Sequence, residues 1–223
     1  MPVENLGHEY EFEPQYGLPE RLPADEHIIW QGSPETGALV RSAFHLRKLV
    51  AYFGLLALAC AWPALESGAG MAAVLQSLKW ITPLSVLALA SIWVLAWMTA
   101  RTTVYTLTNK RIVMRLGIVL TVSFNFPLKR IAAADIRTLD AGFGDITLAL
   151  QGDDRIAWVH LWPSVRPWRI TKTEPSFRAI ADVQGVSAQL REAWSQATGL
   201  QAQAAPQAVA APGQSPSLQV SPV

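Results

Sequence analysis

The sequence has few charged residues and a single cysteine. Of its 223 residues, 16% are charged and 51% are hydrophobic, whereas charged residues make up about 25% of a soluble domain. The formal net charge of +1 gives no strongly basic surface, so we predict no nucleic-acid partner. Cys60 alone can form neither an intramolecular disulfide nor a multi-cysteine metal cage. These absences exclude metal fingers, disulfide scaffolds and histone-like proteins.

Residue clusters typical of an active site are also missing. The four histidines lack the HxxxH and HExxH spacings, and the sequence has no Walker loop or GxGxxG motif. The letters GFGD at residues 142–145 match the GxGD signature of intramembrane aspartyl proteases, but that chemistry needs two carboxylates within the membrane. We interpret these residues as a tight turn into a strand. We therefore predict a protein that is not an enzyme and has no cofactor or metal; pigment ligation by His45 or His160 stays an alternative.

The missing charge is concentrated in two long apolar runs. Residues 49–65 and 81–100 contain no charged residue. A bilayer core requires about 20 apolar helical residues, with a range of roughly 17–25. We predict a transmembrane hairpin at residues 46–100, with spans at about 49–65 and 81–100, rather than two buried core helices.

Basic residues flank this hairpin on one side. The loop between the runs has one base, Lys79, whereas three bases lie just before the first run, at residues 41–48, and four just after the second, at residues 101–115. Because lysine and arginine mark the cytoplasmic side, we predict a multi-pass protein with both termini in the cytoplasm. Interfacial anchoring also explains the histidine beside the first span. The predicted membrane-surface residues are Arg41, His45, Arg47, Lys48, Arg101, Lys110 and Arg111.

After residue 101 the pattern changes to short β-rich runs. Turn residues separate several of them, as in an antiparallel meander. An amphipathic helix introduced by Pro175 is predicted at about 176–197, from apolar residues at three- and four-residue intervals. The predicted strands lie at residues 102–108, 111–117, 118–126, 131–139, 145–150 and 155–161.

Six strands followed by one helix resemble a pleckstrin-homology (PH) domain. The predicted fold class is an α+β membrane protein. It has a two-helix transmembrane hairpin and, at residues 102–198, a cytoplasmic antiparallel β-barrel or sandwich of pleckstrin-homology type capped by a C-terminal helix.

Three further segments lie outside the hairpin and the barrel. Residues 25–45 contain a predicted strand and turn at Glu26–Gly32, on the side where it could pair with the barrel. Residues 1–24 are predicted to be extended, either as an unfolded tail or as a recognition segment that orders on a partner. Residues 199–223 lack charge and are rich in Ala, Gln, Pro and Ser, which predicts a disordered tail.

A tryptophan-rich segment, WVHLWPSVRPWR, occupies residues 158–169. Tryptophan and arginine are enriched at binding hot spots, and alternation along a strand would place Trp158, His160 and Trp162 on one face. Two interpretations stay open: a strand and exit loop that close the barrel, or an edge that binds a protein or the membrane surface. The candidate partner-binding residues are Trp158, His160, Trp162, Arg166, Trp168, Arg169, Tyr10 and Phe12.

Several motifs resemble those of known families. YTLTNKR at 105–111 resembles the start of bacterial pleckstrin-homology domains in small membrane proteins, and Glu26 with IWQGSP at 29–34 resembles the strand before their membrane hairpin. The chain as a whole is similar to the photosynthetic complex assembly proteins of purple bacteria, the PuhB family. The matching segments are YEFEP at 10–14, GLPE at 17–20, LP at 22–23, AFH at 43–45, RK at 47–48, AYF at 51–53, LWP at 161–163 and RPWR at 166–169.

This resemblance implies a non-enzymatic factor of the bacterial inner membrane, cytoplasmic or intracytoplasmic, that helps to assemble the photosynthetic reaction centre. Its expected partners are unassembled reaction-centre subunits, the core light-harvesting complex and membrane lipid, and a homodimer is left open. An intramembrane enzyme is disfavoured because the spans contain no carboxylate or histidine. The alternative function is a membrane-anchored module that binds another membrane protein or anionic lipid. Its lipid-facing bases would be Lys110, Arg111, Arg115, Lys129 and Arg130.

Overall fold

A computed structural model describes residues 16–117, 121–139, 142–152, 156–167, 169 and 172–199. Three candidate residues, Tyr10, Phe12 and Trp168, lie outside the described residues. The same holds for most of the predicted N-terminal segment and for the predicted tail after residue 199.

The first part of the described chain is one strand followed by four helices. Glu35 precedes the first helix, where its carboxylate accepts a hydrogen bond from Ala38 N at 2.5 Å and so caps the helix. The elements are β1 (Ile28–Gly32), α1 (Thr36–Ser42), α2 (Leu46–Glu66), α3 (Met71–Leu78) and α4 (Ile81–Thr102).

Helices α2 and α4 coincide with the two predicted spans. They have 21 and 22 residues and are long and apolar enough to cross a membrane, by length and composition. Their large apolar side chains face outward: Leu55 in α2 is 67% exposed and Leu87 in α4 is 63% exposed. A soluble protein rarely exposes so continuous an apolar surface.

The rest of the described chain forms two antiparallel sheets and two helices. One sheet has the strand order β1-β2-β3-β4 and the other β5-β6-β7. The remaining elements are β2 (Val104–Thr108), β3 (Arg111–Leu116), β4 (Val122–Pro127), β5 (Ile131–Thr138), β6 (Gly144–Leu150), α5 (Trp158–Leu161), β7 (Ser176–Ile180) and α6 (Val183–Thr198).

The strand ahead of the helices completes the first sheet. β1 pairs with β2, which directly follows α4, and Gly32 lies opposite Tyr105. The predicted pairing of the Glu26–Gly32 segment is therefore confirmed.

A shared hydrophobic core lies between the two sheets and α6. Tyr105 of β2 stacks on Phe177 of β7 with ring centroids 4.8 Å apart, and both are buried. Helix α6 covers the core with Val186 and Leu190, and Trp194 Nε1 donates to the Ile131 carbonyl at 3.1 Å. The strands and α6 thus form a PH-like mixed α/β unit.

The predicted closed barrel is not formed by the described strands. After β4, a 3-10 turn at Leu128–Arg130 redirects the chain, and Leu128 is completely buried in the core. β5 consequently begins a second sheet and pairs with β6 instead of β4. The sandwich form of the prediction fits this arrangement.

Two predicted elements are wrong. The strand predicted at 155–161 is helical at Trp158–Leu161, so Trp158, His160 and Trp162 do not alternate along a strand. The helix predicted from residue 176 begins only at Val183, because Ser176–Ile180 form β7 and extend the second sheet. The carboxylate of Asp182 accepts a hydrogen bond from Gly185 N at 3.1 Å and fixes the true start of α6.

Helix α1 joins the long helices to the sheets. Leu39 and Ala38 of α1 pack with Ala100 of α4 and Ala179 of β7 in a small buried cluster. Glu35 N also donates to the Ala179 carbonyl at 2.8 Å. These contacts hold the start of α2 at a defined place beside the second sheet.

Candidate functional site

A cavity of about 510 Å³ lies where α1 leads into α2 and where β5 ends. The short helix, the first turn of the long helix and the sheet each contribute to its wall. We call it the cationic pocket; its lining residues are Ala38, Arg41, Ser42, His45, Arg47, Lys48, Arg137, Thr138 and Leu139.

The pocket carries positive charge. Arg41, Arg47, Lys48 and Arg137 line it, and no aspartate or glutamate among the described residues does. Within the part of the chain that the structure describes, none of these four forms an ion pair with a carboxylate. Four like charges around one cavity create a positive potential that attracts an anion.

Polar groups also lie in the wall of the pocket. The Ser42 hydroxyl is buried and has no hydrogen-bond partner among the described residues. His45 is the N-cap of α2 at φ 52°, and its side chain makes no capping hydrogen bond. The backbone N–H groups of the first turn of α2 therefore receive no side-chain cap at this position, and such groups favour anions.

The pocket lies at the boundary between charged and apolar sequence. Arg47 and Lys48 are in the first turn of α2, and the uncharged run begins at Leu49. Tyr52, one turn further along, is 58% exposed and packs edge-to-face with Phe53 at 5.3 Å. Aromatic rings next to basic residues are typical of a membrane–water interface.

The tryptophan-rich segment reaches the chain just before α2. Trp162 is 40% exposed, and its ring meets Phe44 edge-to-face at 5.4 Å. His160 is exposed, whereas Trp158 packs against the core with its indole N–H buried and without a partner among the described residues. Trp162 is thus accessible beside the start of α2, and His160 is exposed two residues earlier in the chain.

Two other candidates are engaged within the chain. Arg166 and Arg169 bind the two oxygens of the nearly buried Glu174 carboxylate, at 3.1 Å and 2.9 Å. Arg166 also pairs with Asp135 at 3.3 Å. These arginines fix the loop before β7 against the second sheet.

The 105–111 motif holds Asp25 and Glu26, which lie just before β1, against the sheet. Arg111 Nε and Thr108 Oγ1 each donate to Glu26 Oε1 at 2.8 Å, and Lys110 pairs with Asp25. The hydrogen bond and the charge of Lys110 lower the pKa of the Asp25 carboxyl. The motif's two bases therefore have acidic partners inside the protein.

The remaining bases with predicted surface or lipid roles differ in accessibility. Arg115 is 8% exposed, whereas Lys129 and Arg130 are exposed at the 3-10 turn. Arg101 lies over the Trp97 ring at 4.7 Å, at the end of α4. The five bases predicted to face lipid do not form one open surface.

A buried polar network lies beneath these surfaces. Asp145 pairs with Arg178 at 3.4 Å, both side chains being almost completely buried, and accepts from Ala179 N at 2.9 Å. The Tyr105 hydroxyl is 2.6 Å from Ser164 Oγ, and burial raises the pKa of Tyr105 to about 12. The GFGD letters thus lead into β6, as predicted, and Asp145 binds Arg178 and the backbone of β7.

Sequence reasoning missed the pocket as a unit. The sequence predicts Arg41, His45, Arg47 and Lys48 as separate membrane-surface residues, but it does not indicate Arg137, Ser42 or helix α1 as parts of one site. Arg137 lies in a different element far along the chain, and nothing in the sequence links it to the start of α2.

Comparisons with known proteins identify the family. The bacterial PH domain model matches residues 44–194. The chain is 34% identical over 191 residues to an uncharacterised 23.7 kDa protein in the puhA 5′ region of Rhodobacter capsulatus, covering 83% of this chain and 87% of that protein. A crystal structure of a DUF1696 family protein with a pleckstrin-homology domain from Shewanella loihica matches 40% of this chain and 69% of that chain, at 14% identity and a TM-score of 0.28. On the family match and the Rhodobacter relative, the chain belongs to the bacterial PH domain family.

Proposed function

We propose that the protein is a membrane-anchored, non-enzymatic factor that helps to assemble the photosynthetic reaction centre and its core light-harvesting complex. The observation that carries this proposal is the similarity to the Rhodobacter capsulatus protein in the puhA 5′ region, which extends over most of both chains. That gene context hints at a role in photosynthesis. The motifs similar to the PuhB family add the assembly role.

The exposed helices support anchorage in the inner membrane. α2 and α4 have the length and the apolar composition to cross a bilayer, and their exposed leucines would otherwise contact water. Basic residues cluster at the two ends that adjoin the sheets, which favours a cytoplasmic position for the PH-like unit.

The surface proposed for the partner lies beside the start of α2. Trp162 is accessible there, next to Phe44, and His160 is exposed two residues before it. A subunit that is itself in the membrane would meet this surface in two dimensions, and such confinement raises its effective concentration without any new contact. We expect the contact to be transient, since an assembly factor must release its product.

Deletion of the gene tests this function. We expect the deletion strain to contain less reaction centre while pigment synthesis continues, because unassembled subunits are lost before they are joined. Reaction-centre level is measured by immunoblot and by light-induced bleaching, and total pigment by extraction. An unchanged reaction-centre level would contradict the proposal.

Complementation sharpens the same experiment. A wild-type copy should restore the reaction-centre level, and a copy with Trp162→Ala should restore it less. Trp80→Ala is the matched control, because Trp80 is also exposed but lies at the other end of the helical hairpin. Equal restoration by both variants would argue against the Trp162 surface.

A further inference from the structure

We propose that the cationic pocket binds the phosphate headgroup of an anionic phospholipid. The lipid belongs to the leaflet on the side of the PH-like unit, where the first turn of α2 lies. This inference deepens the proposed function and rests on its membrane anchorage. It gives the lipid a defined place at the joint between the long helices and the PH-like unit.

The charge of the pocket favours an anion. Arg41, Arg47, Lys48 and Arg137 surround one cavity in which no described residue of the lining is an acid, so an anion that enters would relieve their mutual repulsion. Arginine suits this ligand because its planar guanidinium can donate two parallel hydrogen bonds to a phosphate.

The position of the pocket relative to the membrane favours a lipid over a soluble ion. α2 has 21 residues, which at about 1.5 Å per residue gives a length close to the roughly 30 Å of a bilayer core. When α2 spans the bilayer, its first turn therefore lies at the level of the headgroups. Arg47 and Lys48 belong to that turn and line the pocket, so the positive charge of the pocket lies at the level of the headgroups as well.

The size of the pocket also fits a headgroup. Its volume of about 510 Å³ falls within the roughly 300–1,000 Å³ of small-molecule sites. The Ser42 hydroxyl, buried and without a partner among the described residues, supplies a neutral donor for an additional phosphate oxygen.

Native mass spectrometry of the full chain in detergent measures this binding. The purified protein is titrated with phosphatidylglycerol or with zwitterionic phosphatidylcholine, and the Kd of the first bound lipid is compared. We expect tighter binding of phosphatidylglycerol. Arg137→Gln should weaken it about fivefold, and Arg41→Gln with Arg137→Gln about 25-fold, since each base near anionic lipid contributes by roughly that factor.

Arg191→Gln is the matched control. Arg191 is exposed on α6, away from the pocket, and its loss should leave the preference unchanged. Arg41 and Arg137 are exposed as well, so their replacement should leave the fold intact, which circular dichroism verifies. Equal phosphatidylglycerol binding by the wild type and the double variant would overturn the proposal.

Two further experiments distinguish a lipid site from a free-phosphate site, and a wrong pocket assignment from a wrong proposal of membrane anchorage. If inorganic phosphate displaces phosphatidylglycerol as effectively as added phosphatidylglycerol does, the pocket is a site for free phosphate and the lipid assignment is wrong. Alkaline carbonate extraction of native membranes tests anchorage independently. Release of the wild-type protein would contradict the proposed function itself, whereas retention without lipid preference would overturn only the pocket assignment.

Discussion

At the scale of residues, Tyr105 connects the two sheets through its ring and its hydroxyl. The ring stacks on Phe177, and the hydroxyl bonds to Ser164 and accepts from Arg178 N at 3.4 Å. Buried polar groups that lose their partner cost more than the hydrogen bond itself contributes. The sequence marks Tyr105 only as a strand residue, because Ser164 and Arg178 lie far along the chain.

Tyr105→Phe tests this network. The variant keeps the ring but leaves the Ser164 hydroxyl and the Arg178 N–H without their partner, so we expect a loss of about 1–3 kcal/mol in the free energy of unfolding. Thermal unfolding of the full chain in detergent measures it. Tyr52→Phe, at an exposed tyrosine, should have little effect, and an equal loss in both variants would contradict the prediction.

The same residue predicts an alkaline pH dependence. The folded-state pKa of Tyr105 is raised from 10.0 to about 12, so the folded protein keeps a proton that the unfolded chain releases. Its contribution to stability is therefore complete below pH 10.0 and is lost as the pH rises to about 12. The wild type should lose stability over this interval by a component that is absent from Tyr105→Phe.

At the scale of elements, α1 packs between the long helices and the second sheet. Leu39 is completely buried in the cluster with Ala100 and Ala179. This helix could not be predicted from the sequence, since TGALVRS at 36–42 is only two turns long and short helices depend on tertiary packing.

Leu39→Ala should destabilise this joint. Removing a buried leucine side chain leaves a cavity, and we expect a cost of about 2–5 kcal/mol in thermal unfolding of the full chain in detergent. Leu55→Ala removes the same atoms from an exposed position on α2 and serves as the control. Similar unfolding temperatures for the two variants would show that α1 does not hold the helices to the sheets.

The element predictions succeeded where the signal is local. The long apolar runs gave α2 and α4, and the β-rich runs gave most strands, because hydrophobic periodicity is set by the face each residue presents. They failed at α5 and β7, where tertiary contacts override the local pattern. In β7 the charge of the buried Arg178 is compensated by the Asp145 carboxylate. The sequence alone does not reveal that pairing.

At the scale of the whole molecule, the exposed apolar surface of α2 and α4 is the feature that the proposed membrane anchorage explains. The same surface in water would promote association. The two-part organisation could be read from the sequence because charge is nearly absent from the spans. The cationic pocket could not, since it exists only where α1, α2 and β5 meet.

Leu87→Lys distinguishes the two environments. On an exposed surface in water this change costs little, whereas a lysine inside the bilayer costs about 2.5–3.5 kcal/mol near the helix centre. We expect the variant to be depleted from the carbonate-resistant membrane fraction. Gln189→Lys, exposed on α6, should fractionate like the wild type; equal membrane retention of both variants would contradict a lipid-facing α4.

The pairing of β1 with β2 sets the order in which the protein can form. β1 leaves the ribosome before the long helices, but its partner strand follows them, about 70 residues later. At about 5–20 residues per second, β1 therefore waits roughly 4–15 s for β2 to be synthesised. During that interval Glu26 has neither Arg111 nor Thr108 to bind. Completion of the first sheet is thus a late step of biosynthesis, and it occurs only in chains whose two long helices have already been made.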